Sequence, residues 1–395
     1  MHPLTRLALV PTLTAALGGC SALRALAGRN TVSLEGAQVT AMSVDIRKNE
    51  KTICPRERVQ MAIYADAIFQ GEAGPKKLET WQGDSGANRN DKLEFDEFAF
   101  HSELGKFDAD GWFSPNTDLL ASAARQFEIT TAYRRQPDKF TFKTSYKPDY
   151  RCITGTGASG ARGEAGANGN DGTPGQDGSS GSSDGPGSPG SDGRSGGSGA
   201  TGSSGGAGPK VVAYATYVKT AFYDRLIAVV MQGPERDFVL LHPDATVTLF
   251  ARGGDGGPGG RGGRGGDGGR GGSGNPGGNG GNGAAGGNGA AGGNGGPGGT
   301  VELVVDARFA DLAKRFEVDV SGGRGGLRGE AGEGGRAGSG GSGFGSGARG
   351  ADGSAGTAGQ VGSAGSNGPP GSGSVRAEDV SAHFSGLPGV SMLEP

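Results

Sequence analysis

GGDGGPGGRGGRGGDGGRGGSGNPGGNGGNGAAGGNGAAGGNGGPGG, residues 253–299, carries glycine at every third position from Gly253 to Gly298. Three residues make one turn of a polyproline-II helix, which rises about 3.1 Å per residue and has no internal hydrogen bonds. On such a rod the in-frame glycines form one ridge, and the Gly-Gly-X pattern leaves two ridges bare. Bare backbones can approach closely and bond N–H to C=O from rod to rod. The third ridge collects Arg252, Asp255, Arg261, Arg264, Asp267, Arg270, Asn279 and Asn282, which are expected to face water. A flexible linker has no reason to hold a register, so the tract is read as ordered and built for packing.

Strand-like sequence abuts both ends: Thr246–Val247–Thr248–Leu249–Phe250 before the tract, Thr300–Val301–Glu302–Leu303–Val304–Val305 after it. If those strands pair in one sheet, the tract must leave and return. Laid straight it would reach about 150 Å at 3.1 Å per residue; folded into antiparallel legs it makes a compact slab. Asn275–Pro276 and two Ala-Ala pairs interrupt the pattern and are expected to mark turns or altered contacts.

Two further tracts share the period. Gly157–Gly208 misses its frame only at Asp184, and Gly323–Gly371 only at Phe344. The first resembles collagen-like Gly-X-Y, but only Pro174, Pro186 and Pro189 supply imino acids. A triple helix also needs three chains. A partly flexible stalk or a polyproline-II leg is therefore expected at 154–208, in place of a collagen trimer.

The chain has 395 residues, 86 of them glycine, with a formal net charge of −3. That charge gives no bulk attraction to nucleic acid or anionic lipid. Residues 31–153 read as a β-sandwich, because Val59, Met61, Ile63 and Ala65, then Phe127, Ile129, Thr131 and Tyr133, then Phe140, Phe142, Thr144 and Tyr146 alternate with period two. Turn residues such as Gly71, Asp84–Ser85–Gly86 and Asp110–Gly111 separate them, and Trp81 and Trp112 are read as core or edge packing. The layout resembles immunoglobulin-like modules in outline. Further strands are predicted at 210–218, 226–230, 238–241 and 316–320, a short helix at 307–314, and a last strand within 374–384.

Arg6, the apolar run 7–10 and Leu17–Gly18–Gly19–Cys20 resemble a bacterial lipoprotein signal peptide with its lipobox. The resemblance implies cleavage before Cys20, lipidation of Cys20, and, with Ser21 following, an outer-membrane address. Cys54 and Cys152 remain, and a pair of cysteines in an exported chain is expected to form a disulfide. The organisation is then a signal peptide at 1–19, a tether at 20–30, the sandwich at 31–153, a collagen-like linker or leg at 154–208, β-strands with a polyproline-II bundle at 209–373, and a C-terminal segment at 374–395. The fold class expected is mainly β plus polyproline-II, the bundle packed beside a small sheet.

Gly295–Gly296–Pro297–Gly298–Gly299–Thr300–Val301–Glu302–Leu303–Val304–Val305–Asp306, with Leu312, Phe316 and Gly322–Gly323–Arg324–Gly325–Gly326, resembles the glycine-rich N-terminal domain of the Obg GTPases. The resemblance spans roughly 246–330 and implies polyproline-II legs beside a small β-structure. No Gly-x-x-x-x-Gly-Lys-Ser/Thr loop accompanies it, so no GTP role follows. The triplets also resemble glycine-rich antifreeze proteins and the glycine-rich tips of phage adhesins.

Catalytic signals are sparse. Asp108–Ala109–Asp110–Gly111 has the start of a calcium loop, but Leu119 stands where the bidentate acid belongs, so a turn is expected. Glu94, Asp96 and Glu97 read as a solvated acidic face. Arg261, Arg264 and Arg270 mimic an RNA-binding segment, yet the tract has no aromatic stacking partner. No cofactor, metal or nucleic acid is expected. The reading is a non-enzymatic, lipid-anchored surface protein of the bacterial outer membrane, contacting glycans, matrix or other surface proteins, with a monomeric glycine-rich domain. The alternatives are an ice- or polymer-surface-binding protein, and an envelope enzyme with its site in the β modules near Asp108 and Glu97.

Overall fold

The computed structural model describes residues 31–47, 51–80, 92–234 and 236–394. It is mainly β, with several sheets, and divides into two compact units at Cys152/Ile153.

The first unit contains a seven-stranded sheet and a four-stranded sheet. The longest strand of the larger sheet, Val59–Ile68, pairs antiparallel with Gln38–Ile46 and with Lys76–Glu79. In the smaller sheet Phe127–Tyr133 lies between Phe98–His101 and Thr141–Pro148. Period two is visible in burial: Phe127, Ile129, Thr131 and Tyr133 point inward along one strand. One apolar cluster joins Ile63, Ala65 and Leu78 of the larger sheet to Phe98 and Tyr133 of the smaller. A second gathers Met61, Phe113, Phe127, Ile129 and Tyr146. Cys54 follows Thr52–Ile53 and Cys152 follows Thr141–Pro148; those two strands pair in parallel, which brings the cysteines together. A short helix, Leu119–Ala123, was not expected; Asp118 caps it by accepting from the Leu120 N–H at 3.0 Å.

In the second unit the strands fall into two sheets. Gly155–Ser159, Val247–Arg252 and Phe316–Asp319 form a small all-parallel sheet. Lys210–Lys219, Thr300–Asp306 and Ser372–Glu378 run parallel inside a six-stranded sheet that Leu226–Gln232 and Asp237–Leu241 extend on one side and to which the short Ser391–Met392 also pairs. Each glycine tract leaves from a strand of the small sheet and returns into a strand of the large one. The strands flanking residues 253–299 therefore belong to different sheets and do not pair, contrary to the simplest expectation. The tract still comes home: the Gly299 N–H donates to the Ala251 carbonyl at 2.8 Å.

The three tracts each fold once, which makes six legs: 160–181 and 187–208, 253–274 and 277–299, 322–343 and 347–371 (legs 1 to 6 in chain order). The reversals fall at Asp184 and Phe344, where the glycine frame fails, and at Asn275–Pro276, where the frame holds but Gly-Gly-X is interrupted. The Ala-Ala pairs mark no turn. Ala284 and Ala290 lie within leg 4 and keep its ladder, donating to Gly266 and Gly260 of leg 3 at 2.9 and 3.0 Å.

Odd-numbered legs bond side by side: Gly163 donates to Asp255 of leg 3, and Gly256 of leg 3 to Arg324 of leg 5. Even-numbered legs do the same, through Gly190 to Asn279 and Gly280 to Ala351. Antiparallel bonds then tie the two layers together, as from Gly257 to Ser203 and from Gly281 to Gly269. The first tract is thus not a stalk. Its in-frame glycines from Gly163 to Gly181 all donate to leg 3.

The pattern Gly-Gly-X now has a cause. Legs 3 and 4 have neighbours on both sides within their layer and in the facing layer. A Cβ on Gly265 would lie 2.0 Å from the Ala284 carbonyl oxygen, and one on Gly266 would lie 2.0 Å from that of Thr173. Both ridges must stay bare. Outer legs have an open side, so Gly-X-Y suffices there.

The predicted helix at 307–314 is instead a turn followed by the 3-10 segment Leu312–Arg315. Asp306 governs it: buried, it accepts from Thr216 Oγ1 at 2.6 Å and from Arg308 Nε at 2.9 Å. Burial alone would raise its carboxyl pKa, but the Arg308 and Thr216 hydrogen bonds outweigh that and hold it below the ordinary 3.8. The strand expected within 374–384 runs Ser372–Glu378; Ser381–Phe384 is a helical turn that buries Phe384 and stacks His383 on Tyr214 at 3.5 Å, and a last short strand, Ser391–Met392, pairs with Lys210–Lys219.

Candidate functional site

The chemistry that varies along the legs sits on the X positions, and the in-layer bonds set those positions side by side. Across legs 1, 3 and 5 the neighbours are Arg162, Asp255 and Arg324; then Asn168, Arg261 and Glu330; then Asp171, Arg264 and Glu333. Farther out come Pro174, Asp267 and Arg336, followed by Asp177, Arg270 and Ser339. Charges of opposite sign sit beside each other in nearly every row. Only Ala165, Pro258 and Leu327 make an apolar stripe, with Leu327 76% exposed.

Across legs 2, 4 and 6 the same rows read Asp192, Asn282 and Ser354; Ser195, Ala285 and Thr357; Ser198, Asn288 and Gln360; Thr201, Ala291 and Ser363; Ser204, Asn294 and Ser366. Asp192 is the exception in an otherwise uncharged set. All of the outer-leg members are exposed. The bundle therefore has one face patterned with charge and one of small neutral polar groups.

These side chains do more than meet water, which refines the sequence-based expectation. Asp255 and Asp267 accept from the backbone N–H of Arg324 and Arg336 at 2.8 Å each. Asn279, Asn282, Asn288 and Asn294 accept from Ala351, Ser354, Gln360 and Ser366 at 2.8–3.0 Å. Asn168, Asp171 and Asp177 do the same for Arg261, Arg264 and Arg270. A backbone donor on the solvent side of one leg is satisfied by an Asx oxygen of the leg beside it. Arginines of the RNA-like motif sit in this framework, and Arg264 also pairs with Asp267 at 2.8 Å.

Cys54 and Cys152 form a disulfide with Sγ–Sγ 2.00 Å. Cys20, the signal peptide, the tether and Trp81 lie outside the described residues. Asp108 closes its own turn, accepting from the Asp110 and Trp112 N–H groups at 3.1 and 3.0 Å while pairing with Arg58. Gly111 in that turn has φ 70° and lies against the Phe95 ring, so a side chain there would be both strained and crowded. Glu97 is not part of a solvated face. It is 7% exposed, accepts from Ser33 Oγ and, at 3.2 Å, from the Leu34 N–H, and pairs with Arg135 at 3.1 Å. A structural anchor explains it: three donors converge on one carboxylate at the end of the 3-10 segment Phe95–Glu97. Asp108 and Glu97 are thus each committed to local structure.

No protein family profile matches this chain, and neither curated proteins nor solved structures show significant similarity to it.

The Asx locks were missed from sequence, though their signal was present. Asparagine recurs as Gly-Gly-Asn in the second half of the central tract, while the first half carries Asp and Arg. The switch occurs at Asn275–Pro276, where the chain changes layers.

Proposed function

We propose that this chain is a non-enzymatic, lipid-anchored surface protein whose glycine-rich bundle is a rigid slab for adhesion or envelope-matrix contact. The observation that carries the reading is the pair of exposed, chemically distinct faces on one hydrogen-bonded bundle. Repetitive flat faces of this kind suit many weak, simultaneous contacts, which sum to avidity without a deep pocket.

The legs are read as polyproline-II helices. The three-residue period and the bonding of each leg to its neighbours, with none bond-closed on itself, support this. The first unit is read as a β-sandwich, supported by the apolar clusters shared between its sheets. Because the tract bonds close within one chain, the bundle is read as monomeric. Its outer legs support that: leg 6 carries Asp352, Ala355, Val361 and Pro370 on the ridge that leg 4 keeps largely as glycine, and those side chains block a seventh leg. Attachment rests on the lipobox-like Leu17–Gly18–Gly19–Cys20, with Cys20 lipidated and the protein held at the bacterial outer membrane.

Deleting the gene and measuring cell-surface cohesion and binding tests the role. Weakened cohesion, restored by the wild-type chain but not by a Cys20→Ala chain released from membranes, is expected. Normal cohesion accompanied by loss of a hydrolytic activity would favour the envelope-enzyme reading instead.

A further inference from the structure

From the segregation of charge between the two faces, we infer that the neutral face of legs 2, 4 and 6 is a binding surface for an uncharged polysaccharide laid along the legs. This deepens the adhesion role and rests on it.

The central row decides the ligand's chemistry. Each of Asn282, Asn288 and Asn294 has its amide oxygen committed to a backbone N–H of leg 6. With the oxygen turned to leg 6, the amide NH2 of each, a double donor, is left for a ligand. The lock also fixes each side chain before binding, so little rotamer entropy is lost on contact. Ala285 and Ala291 alternate with them, leaving shallow troughs between donors that repeat every six residues, about 19 Å at the polyproline-II rise. Hydroxyls flank the row on both sides: Ser195, Ser198 and Thr201 on leg 2, Thr357, Ser363 and Ser366 on leg 6. Fixed donors beside hydroxyls, on a flat face almost free of charge, complement a chain rich in ether and hydroxyl oxygens. These rows carry no cation to pair with phosphate or carboxylate polymers. The opposite face, with its alternating arginines and carboxylates, would force an uncharged polymer to strip water from ions without pairing them.

The test is retention of the purified full chain on insoluble cellulose and on chitin, at low and at high salt. Retention on either, unchanged by salt, is expected. Ser198→Lys, Thr201→Lys and Ser363→Lys replace exposed hydroxyls that take no part in the leg-to-leg bonds described above. Each should keep the wild-type melting temperature and reduce retention about tenfold or more, as desolvating an unpaired charge requires. Ala165→Lys, on the charged face, should bind as wild type. Failure of the folded chain to bind both polymers, release by salt, or an equal loss in Ala165→Lys would overturn the assignment. So would freezing-point hysteresis without polymer retention, which would give the face to ice. If the chain then still binds whole cells, the adhesion role stands and only the face is wrong; if it binds neither, both fail.

Discussion

The first unit fills its interior with large side chains, among them Tyr133, Phe98, Phe113 and Phe127, each 1% exposed or less. The glycine legs fill theirs with backbone. No aliphatic or aromatic side chain larger than alanine lies between legs 3 and 4; the contacts are glycine against carbonyl oxygen. Burial of apolar area drives the first arrangement, at about 25 cal/mol per Å². The second depends on many modest hydrogen bonds, each worth about 1 kcal/mol net, set against glycine's large loss of backbone entropy. One interior tolerates changes of similar volume. The other tolerates no volume at all, but its outer ridges accept nearly anything polar.

That contrast can be broken most forcefully at the disulfide. Cys152→Ser should destabilise the first unit by about 4–5 kcal/mol, the loop-entropy value for a closure of this length. Limited proteolysis should show the legs still intact. If the bundle unravels with it, the two interiors are not independent. Next in size is Gly265→Val. Its branched side chain would meet backbone that cannot rotate away, and about 3 kcal/mol is expected, read as a lower melting temperature of the bundle. Gly266→Val should match it, because the second ridge is equally closed. Glu333→Val, in an outer Gly-X-Y triplet, should melt near wild type.

Acid provides a third comparison. The Asp306 carboxyl is held below its ordinary value, so its contribution is complete above about pH 4 and is lost as pH falls through the lowered folded value. Asp306→Asn should flatten the acid limb of a pH–stability curve for the second unit and leave the tract-to-tract bonds unchanged. Smaller still is Asn288→Ala, which removes one Asx lock and leaves the Gln360 N–H to water. A loss of about 1 kcal/mol is expected. Arg261→Ala, an exposed charge, should shift stability by no more than about 0.5 kcal/mol. An Arg261→Ala effect as large as that of Asn288→Ala would mean that the exposed charges, and not only the Asx locks, hold the legs together.

Much of the second unit was legible because its code is one-dimensional. Period three, the strands at both ends of the central tract, the frame misses at Asp184 and Phe344 and the pattern break at Asn275–Pro276 all follow from local chain geometry, whereas the strand Gly155–Ser159 ahead of the first tract was not expected. The candidate surface was half legible. Charged X residues stand out in sequence, but which tract lies beside which cannot be deduced from a repeat that looks alike in every register. Glu97 was misread for a similar reason: its donors come from Ser33, Leu34 and Arg135, remote in sequence and adjacent only after the sheets form.

By itself, then, the sequence determined that the tracts are periodic, that residues 253–299 need two bare ridges, and that the cysteines have each other as partners. Steric size and backbone period are properties of single residues and short runs, so they survive without a fold. Tertiary structure alone decided that the central tract lies between the other two, that its flanking strands enter separate sheets, and that each tract sends its more highly charged half to one layer and its less charged half to the other. Those outcomes depend on hydrogen bonds between residues some 70 to 90 positions apart, and on such pairings a local pattern is silent.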